Sequence, residues 1–229
     1  MAKSSMKSCA RNSPALEAGS PTLDRRPVEH AFFRRDATVV APALVGLGLE
    51  VRDSGVRLLA RIVETEAYPA GDPAAHTYRG KNTRNRSMYL EGGHAYVYRS
   101  HGIHACFNVV TGAANDGQGV LIRAAEPLEG LSFIEARRPG HPLRDWLRGP
   151  GRLCQGLGIG FDDDGTSLRT GRIRLVALEL PPLVVAVSPR IGISRAMDAP
   201  LRFFSEGSPF VSGRSERRAA SSTSRGSAR

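Results

Sequence analysis

The chain is poor in the residues that close disulfides or build thiolate metal sites. Three cysteines, Cys9, Cys106 and Cys154, are spread over 229 residues without a C-x-x-C pair. An odd, scattered set argues against a disulfide scaffold and a cysteine-built zinc site, and fits a reducing cytoplasm. No apolar run approaches the roughly 18 residues that a membrane span needs. The first residues, MAKSSMKSCARNSPALEAGS, have two lysines but no apolar h-region, so they do not read as a secretory signal. Lysine itself is scarce: Lys3, Lys7 and Lys81 stand against 29 arginines. That leaves few amines for Schiff-base chemistry. No segment repeats, which excludes solenoids and propellers.

What is present is a globular composition, 41% hydrophobic and 24% charged, with a formal charge of +10. Much of that charge sits at the ends. Residues 1–28 hold five basic residues against two acidic ones, and 213–229 hold five arginines against Glu216. Both segments lack the apolar residues that would offset the entropy of ordering, and are expected to be unfolded extensions. Between them, 29–212 reads as one compact domain of mixed α and β. Helical pieces are expected at Glu29–Phe33 and Thr38–Leu49, over Leu128–Arg137, and at Arg152–Leu157. Strands are expected at Leu58–Tyr68, His94–Arg99, Ile103–Thr111 and Val120–Ala125, and over Arg172–Val187 around Pro181-Pro182. Ser100-His101-Gly102 joins two of these as a tight hairpin, with Gly102 supplying a positive φ and His101 at the tip.

The most informative stretch is RIVETEAY, residues 61–68. Alternation along a strand puts Ile62, Glu64, Glu66 and Tyr68 on one face. Carboxylates among Ile, Val and Ala are unusual, because Glu is seldom buried without a partner or a task. Two readings stay open: the solvent face of an edge strand, or a desolvated general base beside an aromatic ring. Glu64 and Glu66, about 6.6 Å apart at Cα, do not make a paired-carboxylate glycosidase. Such pairs face each other across the substrate, whereas strand neighbours point the same way, so one working carboxylate is expected.

Residues 76–104 gather four of the six histidines and a basic set, Arg79, Lys81, Arg84, Arg86 and Arg99, opposed by Glu91 alone. Tyr78, Tyr89, Tyr96 and Tyr98 are interleaved with them. Cations neutralise phosphates and aromatic faces stack on bases, so this segment reads as a nucleic-acid contact. His101-x-x-His104 lacks a Cys or carboxylate at matching spacing, and no metal is expected. Asn108 and Arg123 each interrupt an apolar strand and need hydrogen-bond partners there.

RIVETEAY, DPAAH, GHAYVYRSHGIHACFNVV, LIRAAEPLEG, GRLCQGLGI, PRIGISRAMDAPLRFF and GSPFVS occur in the order in which they stand in the alkyladenine (3-methyladenine) DNA glycosylase family, and the chain resembles that family over about residues 29–212. The resemblance implies an α+β domain with a curved antiparallel β-sheet core, flanking helices and a protruding DNA-binding β-hairpin. It also implies that a damaged purine is flipped out of double-stranded DNA into a pocket. Glu66 aligns with the general base that activates water, and Arg123 with the arginine that helps hold that water. Tyr68 and Tyr98 match the aromatic walls around the base, His76 a histidine at the pocket edge, and Asn108 an asparagine that discriminates among purines. His101, Arg84, Arg86, Met88 and Ile103 fall in the DNA-contacting part, His101 as the plug left in the duplex.

The resemblance further implies a monomer without cofactor or membrane association, working in the cytoplasm at the nucleoid, and base excision repair without strand cleavage. Two departures stand out: His101 replaces a frequent tyrosine, and RGKNTRNRSMY lacks the proline common near Thr83. A silent nucleic-acid-binding module and a nucleoside N-glycosidase are the competing classes. Base release separates the first, and salt-insensitive affinity would mark the second.

Overall fold

A computed structural model of the chain describes residues 25–100 and 102–213. His101 and the expected extensions, apart from residues 25–28 and 213, lie outside the described residues. Among the described residues nine strands make one antiparallel sheet: β1 (Arg25–Pro27), β2 (Gly48–Asp53), β3 (Val56–Tyr68), β4 (Ala95–Ser100), β5 (His104–Thr111), β6 (Gln118–Glu129), β7 (Ile173–Leu178), β8 (Val185–Ser188) and β9 (Arg202–Ser205). The main path runs β1-β7-β2-β3-β6-β5-β4, with β9 joined to β3 and β8 to β9. With four short helices, α1 (His30–Phe33), α2 (Ala37–Leu44), α3 (Leu131–Arg137) and α4 (Pro150–Leu157), the molecule is a curled sheet of the α+β class.

The strand β3 organises the rest. Its first half pairs with β2, its second half with β9, and β6 runs along its other edge. The register with β6 slips on either side of Glu64. Such bulges bend a strand and re-aim its side chains. Because the sheet curls and segments cover both its faces, every residue from Leu58 to Ala67 is buried. The exposed-edge alternative for RIVETEAY is thereby excluded, and carboxylates on this strand must find partners inside.

Local sequence explains most boundaries. Asp36 caps α2 by accepting from the Thr38 N–H at 2.8 Å. The helix expected to run on to Leu49 ends at Leu44 instead. Gly46 takes φ +99, and a side chain at Gly48 would run into Val176 Cγ2 at 2.7 Å, so the chain turns there and enters β2. The helix expected from Leu128 starts only at Leu131, because β6 continues to Glu129 and Gly130 breaks it at φ +72. The run from Arg172 to Val187 divides into β7 and β8. The strands β1, β2 and β9 are not among those the sequence pattern predicts. Arg25–Pro27, assigned by composition to an unfolded extension, pair with β7, and Arg25 forms ion pairs with the largely buried Glu50 and with Glu129.

The β4–β5 hairpin pairs from Ala95 opposite Val109 to Ser100 opposite His104, so Ser100 belongs to β4 and Ile103 to the turn rather than to a strand, while Gly102 has the expected positive φ, +78. Its base is tied to the core by Phe107, which is fully buried. Replacing Phe107 by Ala should therefore destabilise the fold by about 3–5 kcal/mol. A urea titration should show this as a lower midpoint at unchanged slope.

Candidate active site

A cavity of about 650 Å³ lies between the second half of β3, the β4–β5 hairpin, the 73–76 loop and the 191–195 segment. Its walls are aromatic and polar. Tyr68, His76, Tyr96, Tyr98, Asn108 and Arg123 all line it. Tyr96 and Tyr98 stack at 5.6 Å between centroids, and His76 meets Tyr98 edge-on at 4.4 Å. His76 Nδ1 and the Tyr96 hydroxyl share a hydrogen bond of 2.9 Å. Partial removal of its ring from water and the charge of Arg84 lower the His76 pKa, so the imidazole is neutral near pH 7. Asn108 donates from Nδ2 to the Tyr96 carbonyl at 3.2 Å, which fixes the orientation of its amide.

Behind the wall lies a buried charge network. Glu64 and Glu66 have no solvent exposure. Glu64 accepts from Arg123 Nε at 3.2 Å, from Arg202 Nε at 2.7 Å and from the Ser212 N–H at 2.6 Å. Glu66 accepts from the Ile191 N–H at 2.7 Å and the Tyr68 hydroxyl at 3.0 Å, and lies 3.3 Å from Arg123 Nη1. Arg123 thus spans both carboxylates, and its Nη1 also reaches the Ile191 carbonyl at 3.4 Å. Burial alone would lower the Arg123 pKa, yet Glu66 and Glu64 raise it, so this guanidinium stays charged. Burial first, then Glu66, pushes the Tyr68 phenol up, and it remains a hydrogen-bond donor.

The family model for methylpurine-DNA glycosylase matches residues 31–209. The chain belongs to that family. It is 48% identical over 188 residues to a protein of Methanoculleus marisnigri, covering 80% of this chain and 97% of that one. A relative from Granulibacter bethesdensis is 44% identical over 216 residues, covering 91% and 94%. Both carry the name "Putative 3-methyladenine DNA glycosylase". This member is accordingly a hydrolase acting on N-glycosyl bonds, with DNA as its substrate and base excision repair as its setting.

Of the residues singled out from the enzyme's sequence, Tyr68, His76, Tyr98, Asn108 and Arg123 share the cavity wall, with Glu66 directly behind it. Arg84 and Arg86 are exposed, and Ile103 is 71% exposed beside the hairpin turn. Met88, grouped with the DNA-contacting residues, is instead buried. It packs against Tyr96 and Val110 and lines the cavity, because the short helical turn at Arg86–Tyr89 folds inward. Among the described residues no helix is long and apolar enough to cross a membrane, and no group of three His, Cys, Asp or Glu could hold a metal ion.

Residue-level reading passed over Tyr96, Arg190, Ile191, Arg202 and Ser212. Tyr96 was visible as part of an aromatic cluster. The other four lie in the blocks PRIGIS, PLRFF and GSPFVS, far along the chain from RIVETEAY, and nothing local announces that a backbone N–H there serves Glu66. Glu64→Gln should destabilise the protein by about 3–5 kcal/mol by leaving Arg202 short of its counter-charge in a buried site. Chemical denaturation beside the wild type measures this.

Proposed function

We propose that this glycosylase flips a damaged purine, alkylated or deaminated, out of duplex DNA into the cavity and hydrolyses its N-glycosidic bond with water activated by Glu66. The observation that carries the reading is the contact set of Glu66. A carboxylate offers about four acceptor positions, and Ile191, Tyr68 and Arg123 approach three of them. A water on the cavity side can take the remaining position, with Arg123 beside it. Glu66 then removes a proton from that water as its oxygen bonds to C1′. The pair of the C1′–N bond leaves with the purine, and the carboxylate stabilises the oxocarbenium-like charge on the sugar. Glu64, committed to Arg202, Arg123 and Ser212, holds the network rather than the water.

In this reading Tyr68 and Tyr98 flank the flipped base, since electron-rich faces suit a purine made cationic by alkylation. His76, neutral, meets its edge, and Asn108 reads its polar pattern with an amide already oriented by Tyr96. The exposed Arg84, Arg86 and Arg99, with Ile103, face the duplex, and His101 fills the gap left by the flipped nucleotide. No cofactor enters, and the protein acts as a monomer, in the cytoplasm at the nucleoid. Backbone cleavage is not part of the reaction. Lys81, the one lysine among the described residues, stands 5.5 Å over the Tyr89 ring and does not line the cavity.

Glu66→Gln should abolish release of purine from alkylated DNA, while binding to lesion-containing duplex stays within a few-fold. Single-turnover excision paired with a binding titration tests both halves; near-normal excision would refute the mechanism. For the wild type, borohydride should trap no covalent adduct with DNA, and a trapped adduct would show an amine nucleophile.

A further inference from the structure

We infer that Arg190 is a positioning residue which, from behind Tyr68, drives electrons toward the departing base. The inference rests on the function proposed above, in which Tyr68 stacks on the flipped purine. The Arg190 guanidinium lies 4.6 Å over the Tyr68 ring. Its side chain has no solvent exposure and does not line the cavity, so the ring separates it from whatever the cavity holds. Arg190 Nη1 donates to the Ala67 carbonyl at 2.9 Å, and Nη2 to Asp72 Oδ1 at 3.1 Å. The next residue is Ile191, whose N–H serves Glu66.

Stability alone is a weak reason for such a pair. A buried ion pair is commonly matched or exceeded by apolar residues of similar volume, and among the described residues Arg190 Nε has no hydrogen-bond partner. The placement of its charge has a chemical consequence. When the C1′–N bond breaks, both electrons go to the purine, which becomes one unit more negative than in the bound state. A cationic 7-methylguanine leaves as a neutral base, and a neutral purine leaves as an anion. The guanidinium end of the Arg190–Asp72 pair, set against the Tyr68 ring, therefore favours the departing base over the bound one, and charges placed in advance for such a change cost no reorganisation. The field reaches the ring itself: burial and Glu66 raise the Tyr68 pKa, while Arg190 opposes them. The same cation makes the Tyr68 face a poorer platform for a cationic base. Rate and ground-state affinity should therefore move in opposite directions when it is removed. A residue that merely held Tyr68 in place would move both in the same direction.

The test uses duplex DNA holding one 7-methylguanine. Wild type is compared with two neutral pairs, Asp72→Asn/Arg190→Met and Asp72→Asn/Arg190→Gln, and with Arg190→Lys. Single-turnover excision is measured at saturating enzyme, affinity is measured with Glu66→Gln added, and thermal melting establishes which variants fold. The folded neutral pairs should excise about five- to tenfold more slowly and bind the duplex as tightly as wild type or more so. Arg190→Lys, which keeps a cation, should lie closer to wild type and decides the matter if neither neutral pair folds. Wild-type rates in the neutral pairs would overturn the inference, as would loss of affinity in step with rate, or an Arg190→Lys rate as low as theirs or about tenfold below wild type. Failure of the underlying reading looks different: wild type would release no base, or Glu66→Gln would release it normally, whatever Arg190 does.

Discussion

The buried position of Arg123 between two carboxylates is the constraint from which the rest of the site follows. Two anions on one strand cannot be taken out of water unpaired, and neighbours on the same face of β3 would otherwise repel. Arg123, on the adjacent β6, lies within 3.3 Å of both. It stays charged because the carboxylates outweigh the effect of burial. Once Glu64 also accepts from Arg202 and from the Ser212 backbone, the last described stretch of chain is clamped across β3. Charge pairing thus does two jobs: it makes the buried carboxylates tolerable, and it closes one side of the cavity.

This closure depends on a strand that changes partners. β3 leaves β2 for β9 midway, and the register slips beside Glu64 mark the passage. A regular sheet would have carried the carboxylates into an ordinary core. The bent one presents them to segments arriving from residues 188–212, which supply hydrogen-bond donors at spacings no single strand offers. The hairpin on the far side contributes the aromatic wall, and its outer end keeps cations and an apolar residue in solvent. Buried anion chemistry and an exposed basic rim therefore belong to opposite ends of the same cavity.

Length, the lack of membrane-like runs, the helix at Pro150–Leu157 and the hairpin were legible from the sequence because each depends on local signals: apolar periodicity, a turn glycine, and the absence of a run. The shared face of Glu64, Glu66 and Tyr68 followed from strand alternation alone. Less was legible where neighbours in space decide. Gly48 belongs to a strand because Val176, more than a hundred residues on, leaves no room for a side chain there. Arg25–Pro27 look like part of a solvated basic arm until Glu50 and Glu129 stand beside them. Met88, among basic and polar residues, looks surface-bound, yet a short helical turn folds it inward beneath Tyr96.

By itself the sequence determined which groups are available: one acidic, aromatic strand motif, a cluster of cations and tyrosines, almost no lysine, and blocks in the order of a glycosylase family. These are properties of residue type and short-range spacing. Tertiary structure alone decided that Glu64 is consumed by Arg202, Arg123 and Ser212, while Glu66 takes the Ile191 N–H and the hydroxyl of the cavity-lining Tyr68. It also decided that Arg190, unremarkable in sequence, lies against Tyr68. Both outcomes depend on contacts more than a hundred residues apart along the chain, where neither periodicity nor motif spacing carries information and only packing and the pairing of buried charge select the partner.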